Sequence, residues 1–295
     1  KASGHRYMLS IPDLGWGGAV GNSLDNGISY LPIGKNEQPV CGMEVVLADG
    51  SLMRTGTGAV PGSKTWHLHR RGLGPTLDPL FAQSNLGIVT RMGLWLMPLP
   101  EVFVSLQMKL WGVDDIAPAV DIIRELRLKG VLDGVPTIGT SLTVAAMVTQ
   151  RKQWTDDPTP VGDELRERIG RELNIGFWTG RLGLWGDEDV VELNLAKIRR
   201  AFAAIPGAEI AATKYTADQL WEGDVPAHDQ VQAGIPNMFT SNFMDWYSET
   251  NGAHWSVSPI VPLDGESFVE VSGLLRSRIE AAGFELRLVP PYTED

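Results

Sequence analysis

The sequence has little cysteine, no concentration of basic residues and no long hydrophobic run, and each absence excludes a class of protein. The single cysteine, Cys41, excludes a disulfide within the chain, and no Cys or His pair has the spacing of a zinc site. No apolar stretch reaches the roughly 18 residues of a transmembrane helix. The formal net charge of -11 argues against a nucleic-acid surface, because phosphate binding requires clustered Lys and Arg.

What the sequence contains is the composition of a folded globular protein. Of its 295 residues, 43% are hydrophobic and 21% are charged, which is enough for two domains with a sizeable core. The first residues lack the apolar core of a signal peptide, so we expect a cytoplasmic protein without membrane or nucleic-acid partners. Because the chain starts without Met and stops after Pro290-Pro291 without closing an element, we also expect a fragment of a longer protein.

The residue pattern changes near position 100, where Pro98 and Pro100 interrupt the chain. Before that point the chain is rich in Gly, and Asp49-Gly50 between two apolar runs predicts a β-hairpin. The apolar stretch 86–98 predicts a buried turn and strand. We therefore expect a first domain of residues 1–100 and a second of residues 101–295.

The second region alternates predicted helices with predicted strands. Segment 113–129 starts with two Asp residues and ends with Lys129-Gly130, as charge and capping preferences at helix ends require. Further helices are predicted at 162–173, 188–204 and 265–282, and strands at 141–149, 175–184 and 254–260. This order predicts an α+β fold in which the second domain is an antiparallel sheet flanked by helices.

The segment from Ile11 to Tyr30 contains five glycines among a few apolar residues, unlike a helix or a strand. Glycines let backbone N–H groups approach a ligand closely and adopt positive φ, which suits a loop around a phosphate or a flat cofactor ring. On composition alone, a surface turn rich in glycine is the alternative.

The order of residues in this segment resembles the flavin-contacting segment of the vanillyl-alcohol oxidase and p-cresol methylhydroxylase (PCMH) family, whose pattern is PDLGxGxxxGNxxxxGxxY. The resemblance is nearly continuous over residues 7–100, and beyond them it is limited to the order of elements and the motif Asn251-Gly252-Ala253-His254. It implies that residues 1–100 are the C-terminal part of a PCMH-type FAD-binding domain. Residues 101–295 would then be a cap domain.

The resemblance implies FAD as the cofactor, covalently attached through His254, because oxidases of the family use a histidine in this setting and the hydroxylases a tyrosine. A neutral imidazole is a competent nucleophile, and the bond would raise the reduction potential of the flavin. The alternative is a structural histidine that ends a loop. Further cofactor contacts implied by the match are Gly17, Gly18, Gly21, Asn22, Asp25, Gly27, Gly87, Ile88 and Val89.

Two catalytic residues are implied by the same resemblance. Asp13 matches the acidic residue that the family places beside the reactive flavin nitrogen, where a carboxylate stabilises charge during hydride transfer. A Pro-Asp pair is also an ordinary turn former. Tyr30 matches a tyrosine whose hydroxyl can bond the phenolic end of the substrate, and otherwise it is a half-buried strand residue. Lys35 replaces an acidic residue that is frequent in the family, which implies an altered pocket rim.

The expected reaction is FAD-dependent oxidation of a para-substituted phenol of the vanillyl alcohol, eugenol or 4-alkylphenol type, with O2 or an electron carrier as the acceptor. Hydride would pass from the benzylic carbon to the flavin. Two alternatives remain open: an FAD enzyme of the same fold that oxidises another alcohol or a hydroxy acid, and a non-catalytic flavoprotein fragment.

Other conspicuous residues receive structural interpretations. His67 and His69 are two residues apart but lack a third ligand nearby, so we expect an exposed basic loop and no metal site. Most of the ten tryptophans, Trp95 and Trp178 among them, are expected in the core. The short connection 58–66, where octameric members of the family carry a longer loop, implies a homodimer.

Overall fold

The structure is a computed structural model that describes residues 3–10, 12, 15–34, 37–70, 74–248, 252–253 and 259–287. The chain folds into two compact units. The first unit contains the residues up to Leu99 together with the separate segment Gln230–Asn237, and the second contains the rest. No local pattern indicates that Gln230–Asn237 returns to the first unit. The assignment of the units to a flavin-binding domain and a cap domain stays a prediction.

The described part of the first unit is built from short elements around a small sheet. They are β1 (Tyr7–Met8), α1 (Ala19–Leu24), β2 (Val40–Leu47), β3 (Leu52–Arg54), β4 (Gly87–Leu94) and β5 (Met97–Pro98). Short 3₁₀ helices lie at Gly56–Ala59 and Asp78–Phe81. The sheet has the order β3-β2-β4 with antiparallel pairing, and β1 pairs with β5. The predicted hairpin is confirmed, since Val46 pairs with Leu52 and Gly50 turns the chain with φ 82°.

The core of the first unit packs around this sheet. Val40, Met43 and Val45 of β2 are buried together with Phe81, and Leu24 of α1 packs against them. Full burial of an aliphatic or aromatic side chain contributes about 1.5–3 kcal/mol. This cluster therefore holds α1 to the sheet.

The stretch 86–98 contains strand β4, but the prediction that it is buried is wrong. β4 lies at the edge of its described sheet, and alternate side chains of a strand point to opposite faces. Val89 is half-buried against the core, whereas Ile88 is 72% exposed. Trp95, which was expected in the core, is 41% exposed. Apolar composition does not distinguish a strand with one buried face from a strand buried on both.

The second unit alternates helices with strands. Its elements are β6 (Val102–Leu110), α2 (Ile116–Leu128), β7 (Thr137–Thr140), α3 (Ser141–Val148), α4 (Asp163–Glu172), β8 (Trp178–Gly186), α5 (Glu188–Phe202), β9 (Glu209–Thr216), α6 (Ala217–Glu222), α7 (Ala227–Gln230) and α8 (Gly265–Ala281). Short 3₁₀ helices lie at Val113–Asp115, Arg151–Gln153 and Phe239–Trp246. Within the described ranges, no helix is long and apolar enough to cross a membrane.

The sheet of the second unit has the order β7-β8-β6-β9, and every neighbouring pair is antiparallel. One face is apolar: Leu106 and Met108 of β6 pack with Ile123 of α2, Ile198 of α5 and Phe268 of α8. The prediction of an α+β fold with an antiparallel sheet flanked by helices is confirmed. The opposite face carries the alternate residues of β6, which include Phe103 and Ser105.

The helices predicted in this region are confirmed as α2, α4, α5 and α8. In α2, Ile116, Val120 and Ile123 are spaced by four and three residues, so all three face the core. In α5, Glu188 lies in the first turn and Arg200 in the last, as the helix dipole favours.

The strand predicted at 141–149 is wrong, because these residues form helix α3. Leu142, Ala145 and Ala146 are buried in one cluster with Trp246. A short helix buried on most sides shows no polar stripe, so its apolar run cannot be distinguished from a buried strand. Strand β7 lies immediately before α3 and was not predicted, nor were β6 and β9. The strand predicted at 254–260 falls mainly outside the described residues.

Candidate functional site

The glycine-rich segment of the first unit surrounds the short helix α1, and two of its glycines lie where packing does not require them. A Cβ atom on Gly18 or Gly21 would meet no described atom within 4 Å. Both residues are exposed, as is Gly17. Since contacts with the described residues do not explain these glycines, the segment leaves room for a ligand to approach the backbone closely.

Gly27, by contrast, packs closely against its neighbours. Its N–H donates to the carbonyl of Asn22 at 2.8 Å, and a Cβ on Gly27 would overlap the Asn22 side chain. Between them, Asn26 has φ 50°, a left-handed conformation that Asn tolerates. Asp25 is exposed and ends α1. These contacts fix the turn and hold Asn22 in place.

Three buried polar atoms near this segment have no hydrogen-bond partner among the described residues: Ser10 Oγ, Asn22 Nδ2 and Ser29 Oγ. Ser10 and Asn22 line a small concavity, whose other lining residues are Leu9, Pro12, Ala19, Ser23, Pro39 and Leu94. A buried polar atom without a partner costs about 1–3 kcal/mol. Such atoms therefore mark a place where a ligand or an ordered water completes the structure.

Residues 87–89, the second group of predicted cofactor contacts, begin β4 and are connected to α1 through Gln83. The Gln83 N–H donates to the carbonyl of Leu24 at 2.7 Å. A Cβ on Gly87 would lie 2.5 Å from Cγ1 of Val45, so packing alone explains this glycine. The two groups of predicted contacts thus lie on connected parts of the first unit.

Of the residues predicted to carry the chemistry, Asp13 and His254 lie outside the described residues. Tyr30 is half-buried and follows the fully buried Ser29. Gly252, two residues before position 254, packs so closely against the carbonyl of Met244 that a Cβ there would overlap it. The main chain at Gly252 therefore lies against the preceding 3₁₀ helix.

A polar cluster that no sequence motif indicated surrounds Asp229 in the second unit. Ser105 Oγ donates to Oδ1 of Asp229 at 2.7 Å, and the Tyr215 hydroxyl donates to Oδ2 at 2.7 Å. Asp229 is 6% exposed, and Nε2 of His228 lies 3.5 Å from Oδ2. Burial, followed by the hydrogen bond to Asp229, raises the pKa of Tyr215. Tyr215 is therefore a hydrogen-bond donor at neutral pH.

An ionic cluster in the first unit surrounds Glu44 on β2. Arg54 contacts Oε2 of Glu44 at 2.8 Å through its terminal nitrogen and donates from Nε at 3.0 Å. Thr90 Oγ1 donates to Oε1 of Glu44 at 3.1 Å. The hydrogen bond from Arg54 lowers the pKa of the Glu44 carboxyl. The cluster joins β2, β3 and β4 and satisfies the carboxylate within the protein, so it stabilises the sheet.

The described residues contain no group of three or more His, Cys, Asp and Glu side chains that could hold a metal ion. His67 is exposed, and its Nδ1 lies 2.8 Å from the carbonyl of Cys41. Cys41 is fully buried. Burial raises the pKa of its thiol, which disfavours the reactive thiolate.

The curated proteins that match the chain in sequence include two that are described below, while no family model matches it. The flavoprotein subunit of 4-cresol dehydrogenase [hydroxylating] from Pseudomonas putida is 34% identical over 230 residues, which are 78% of this chain and 44% of the relative. The 1'-carboxy-chondrochloren decarboxylase from Chondromyces crocatus is 34% identical over 204 residues, which are 67% of this chain and 37% of the relative.

Among the solved structures that match, two cover nearly the whole chain. The 4-ethylphenol oxidase from Gulosibacter chungangensis, in complex with isoeugenol, has a TM-score of 0.87 and 30% identity over 98% of this chain and 56% of its own. p-Cresol methylhydroxylase with substrate bound has a TM-score of 0.86 and 30% identity over 97% of this chain and 57% of its own. The chain belongs to the vanillyl-alcohol oxidase and p-cresol methylhydroxylase family. It spans about half the length of these relatives.

The sequence did not indicate two features of the first unit: its buried serines and the segment Gln230–Asn237. Ser10 and Ser29 flank the glycine-rich segment, and their small polar side chains near apolar neighbours were the available signal for buried donors. Segment Gln230–Asn237 gave no signal, because its place in the first unit depends on contacts far away in the sequence.

Proposed function

We propose that the protein binds FAD through its first unit and oxidises para-substituted phenols by hydride transfer from the benzylic carbon. The observation that carries the proposal is the similarity of 98% of the chain to a 4-ethylphenol oxidase, with a TM-score of 0.87. The 34% identity to the flavoprotein subunit of 4-cresol dehydrogenase supports it from the sequence. Both relatives are named for phenols that carry an alkyl group in the para position.

The residues of the first unit fit a bound flavin. The exposed backbone at Gly17 and Gly18 leaves space beside it for a flat ring. Ser10 Oγ and Asn22 Nδ2 are donors without partners among the described residues, and carbonyl oxygens of a flavin ring are suitable acceptors for them. When bound, FAD supplies the acceptor for the hydride. The other proposed cofactor contacts are Gly21, Asp25, Gly27, Gly87, Ile88 and Val89.

We assign the chemistry to three residues. The hydroxyl of Tyr30 binds the phenolic oxygen and orients the ring, so that the benzylic carbon is presented for hydride transfer. The carboxylate of Asp13 interacts with charge that develops beside the flavin as the hydride leaves the substrate. His254 binds the cofactor covalently, which fixes the position of the cofactor relative to Tyr30 and Asp13.

The proposed substrates are vanillyl alcohol, eugenol or a 4-alkylphenol, and the proposed acceptor is O2 or an electron carrier. A second substrate class follows from the relative named as a decarboxylase, which is 34% identical over 67% of this chain. That class is a phenol with a carboxylate on its para side chain, which would lose CO2 during oxidation.

The proposal is tested by mixing the purified protein, loaded with FAD, with 4-ethylphenol in the absence of O2 and recording the visible spectrum. We expect the flavin absorbance to bleach with 4-ethylphenol and not with lactate or glycolate. The carboxylated phenol is added in parallel, and release of CO2 identifies the second class. A protein that binds no FAD, or whose flavin is reduced by lactate or glycolate and not by phenols, contradicts the proposal.

We further propose a cytoplasmic homodimer. Closed two-fold association is the commonest state of soluble oligomers, and the connection 58–66 is short. The lone cysteine, Cys41, is buried and needs no oxidising compartment. Light scattering on the purified protein tests the assembly, and a mass of eight subunits or a stable monomer contradicts the dimer.

A further inference from the structure

The segment Gln230–Asn237, here called the return loop, folds within the first unit, although the residues before and after it belong to the second. Its ends are tied together by two hydrogen bonds. The Ile235 N–H donates to the carbonyl of Gln230 at 2.8 Å, and Asn237 Nδ2 donates to Oε1 of Gln230 at 2.9 Å. Val231 is 1% exposed. The return loop is therefore closed by its own hydrogen bonds, and its residues Val231, Gln232 and Ala233 are buried.

The return loop contacts the glycine-rich segment at Gly15. The Gly15 N–H donates to the carbonyl of Asn237 at 2.8 Å. A Cβ on Gly15 would lie 2.9 Å from that oxygen and 3.1 Å from the Asn237 nitrogen. Both distances are shorter than ordinary van der Waals contacts between such atoms. The backbone of Asn237 therefore requires glycine at position 15.

A second contact lies on the other side of Asp13 in the sequence. Gly234 has φ 75°, and a Cβ there would lie 3.0 Å from Cε of Met8 in β1. Met8 is 7% exposed. The return loop thus contacts the chain at Met8 and at Gly15, five residues before and two residues after Asp13.

We propose that the return loop is a positioning element for the reaction and that Gly15 and Asn237 are positioning residues. The inference rests on the proposed function, because it concerns the segment that carries Asp13 and the glycines beside the flavin. A misplacement of about 1 Å in an active site can lower the rate by about 10²-fold. The bond between the side chains of Gln230 and Asn237 holds the Asn237 carbonyl, and that carbonyl holds Gly15.

If the return loop only stabilises the fold, its loss should give a different experimental result. Its loss would lower the free energy of unfolding, while the folded holoenzyme would keep its kcat. A positioning loop instead lowers kcat in protein that is still folded, with little change in KM. The amide of Gly15 reports on the same contact without any turnover, because hydrogen exchange at this position follows the opening of its bond to Asn237.

The test uses a matched pair at Gln230. Gln230→Glu keeps an acceptor oxygen for Asn237, whereas Gln230→Leu removes it at similar size. Gly15→Ala acts on the contact directly. Gly273→Ala is the control for adding a methyl group, because a Cβ at Gly273 in α8 meets nothing within 4 Å. Each holoenzyme is assayed with 4-ethylphenol and examined by hydrogen exchange.

We expect Gln230→Leu to lower kcat by about 10-fold to 10²-fold, to leave KM within twofold and to speed exchange at the Gly15 amide. Gln230→Glu and Gly273→Ala should stay within twofold of the wild type. If Gly15→Ala does not fold, the comparison of Gln230→Leu with Gln230→Glu tests the positioning role. Folded Gln230→Leu protein with wild-type kcat, or with unchanged exchange at Gly15, overturns the inference.

Failure of the proposed function is recognised separately. The wild-type protein alone shows whether FAD binds and whether 4-ethylphenol reduces it, before any variant is compared. A wild type that fails this step refutes the proposed function and the inference with it. An active wild type with an equally active Gln230→Leu variant refutes the inference alone.

Discussion

The hydroxyl of Tyr215 lies 2.7 Å from Oδ2 of Asp229, and this carboxylate is buried in the second unit. A buried acceptor that loses its donor costs about 1–3 kcal/mol, and more when it is charged. We therefore expect Tyr215→Phe to lower the free energy of unfolding in urea by at least 1 kcal/mol. Tyr7→Phe is the control, since Tyr7 is 48% exposed. Equal stability of the two variants contradicts the interpretation.

The Arg166 guanidinium is fully buried and donates to Oε1 of Glu280 at 2.8 Å. Burial lowers the pKa of Arg166 to about 10, so it stays charged at pH 7 and needs its partner. A hydrogen bond to a charged group typically contributes about 1.5–3 kcal/mol. Because the Glu280 side chain is 25% exposed, we expect a loss of this size, and not that of a fully buried ion pair, for Glu280→Gln in urea unfolding. Glu270→Gln, at an exposed position of the same helix, should change stability by less than about 0.5 kcal/mol.

The stabilisation from Glu44 should depend on pH in a defined direction. The bond from Arg54 lowers the pKa of Glu44 in the folded protein, and an unfolded Glu has a pKa of about 4.3. A carboxyl with a lowered folded pKa stabilises the fold above the unfolded pKa, and this contribution is lost as the pH falls through the folded pKa. Glu44→Gln should therefore destabilise the protein at pH 7 and much less at pH 3. A constant difference between wild type and variant contradicts this assignment.

Covalent attachment of FAD through His254 can be measured directly. We expect the wild-type flavin to stay in the pellet after acid precipitation, where it is detected by fluorescence. His254→Ala should release its flavin to the supernatant and oxidise phenols more slowly, because loss of the bond lowers the reduction potential. Wild-type flavin in the supernatant would falsify the covalent assignment.

Asp13 is expected to act on the rate and not on the fold. Asp13→Asn should keep the thermal unfolding temperature near that of the wild type and lower kcat by about 10²-fold or more, as for other groups that act on transition-state charge. Equal kcat would remove the catalytic role. A large drop in the unfolding temperature would instead favour the Pro-Asp pair as a turn former.

The helices that the sequence predicted correctly have one buried and one exposed face. Helix α2 was found because Ile116, Val120 and Ile123 repeat at helical spacing. Helix α3 was taken for a strand because most of its faces are buried, so its sequence shows no period. The strands do not follow this rule. Strand β6 was missed although nearly every residue from Val102 to Leu110 is buried, whereas β8, buried along most of its length, overlaps the strand predicted at 175–184.

For single residues of the candidate site, too, the sequence alone did not show which role each residue has. Family resemblance identified Gly27 and Gly87 as cofactor contacts, yet each also packs closely within the fold, against Asn22 and Val45 respectively. A Cβ on Gly18, in contrast, would meet no atom of the described residues within 4 Å. Only the structure distinguishes a glycine that packs closely from one that does not, because the neighbouring atoms are distant in the sequence or depend on the path of a turn.

The return of Gln230–Asn237 to the first unit has a consequence for biosynthesis. At about 5–20 residues per second, a ribosome needs on the order of ten seconds to make the roughly 130 residues between Leu99 and Gln230. During that time the nascent first unit lacks the carbonyl to which the Gly15 N–H donates, and it lacks Val231, which is buried in the complete fold. Folding of the first unit is therefore completed late, after synthesis of most of the second. Synonymous changes that slow translation between these points should increase dependence on chaperones, while the same changes after position 237 should not.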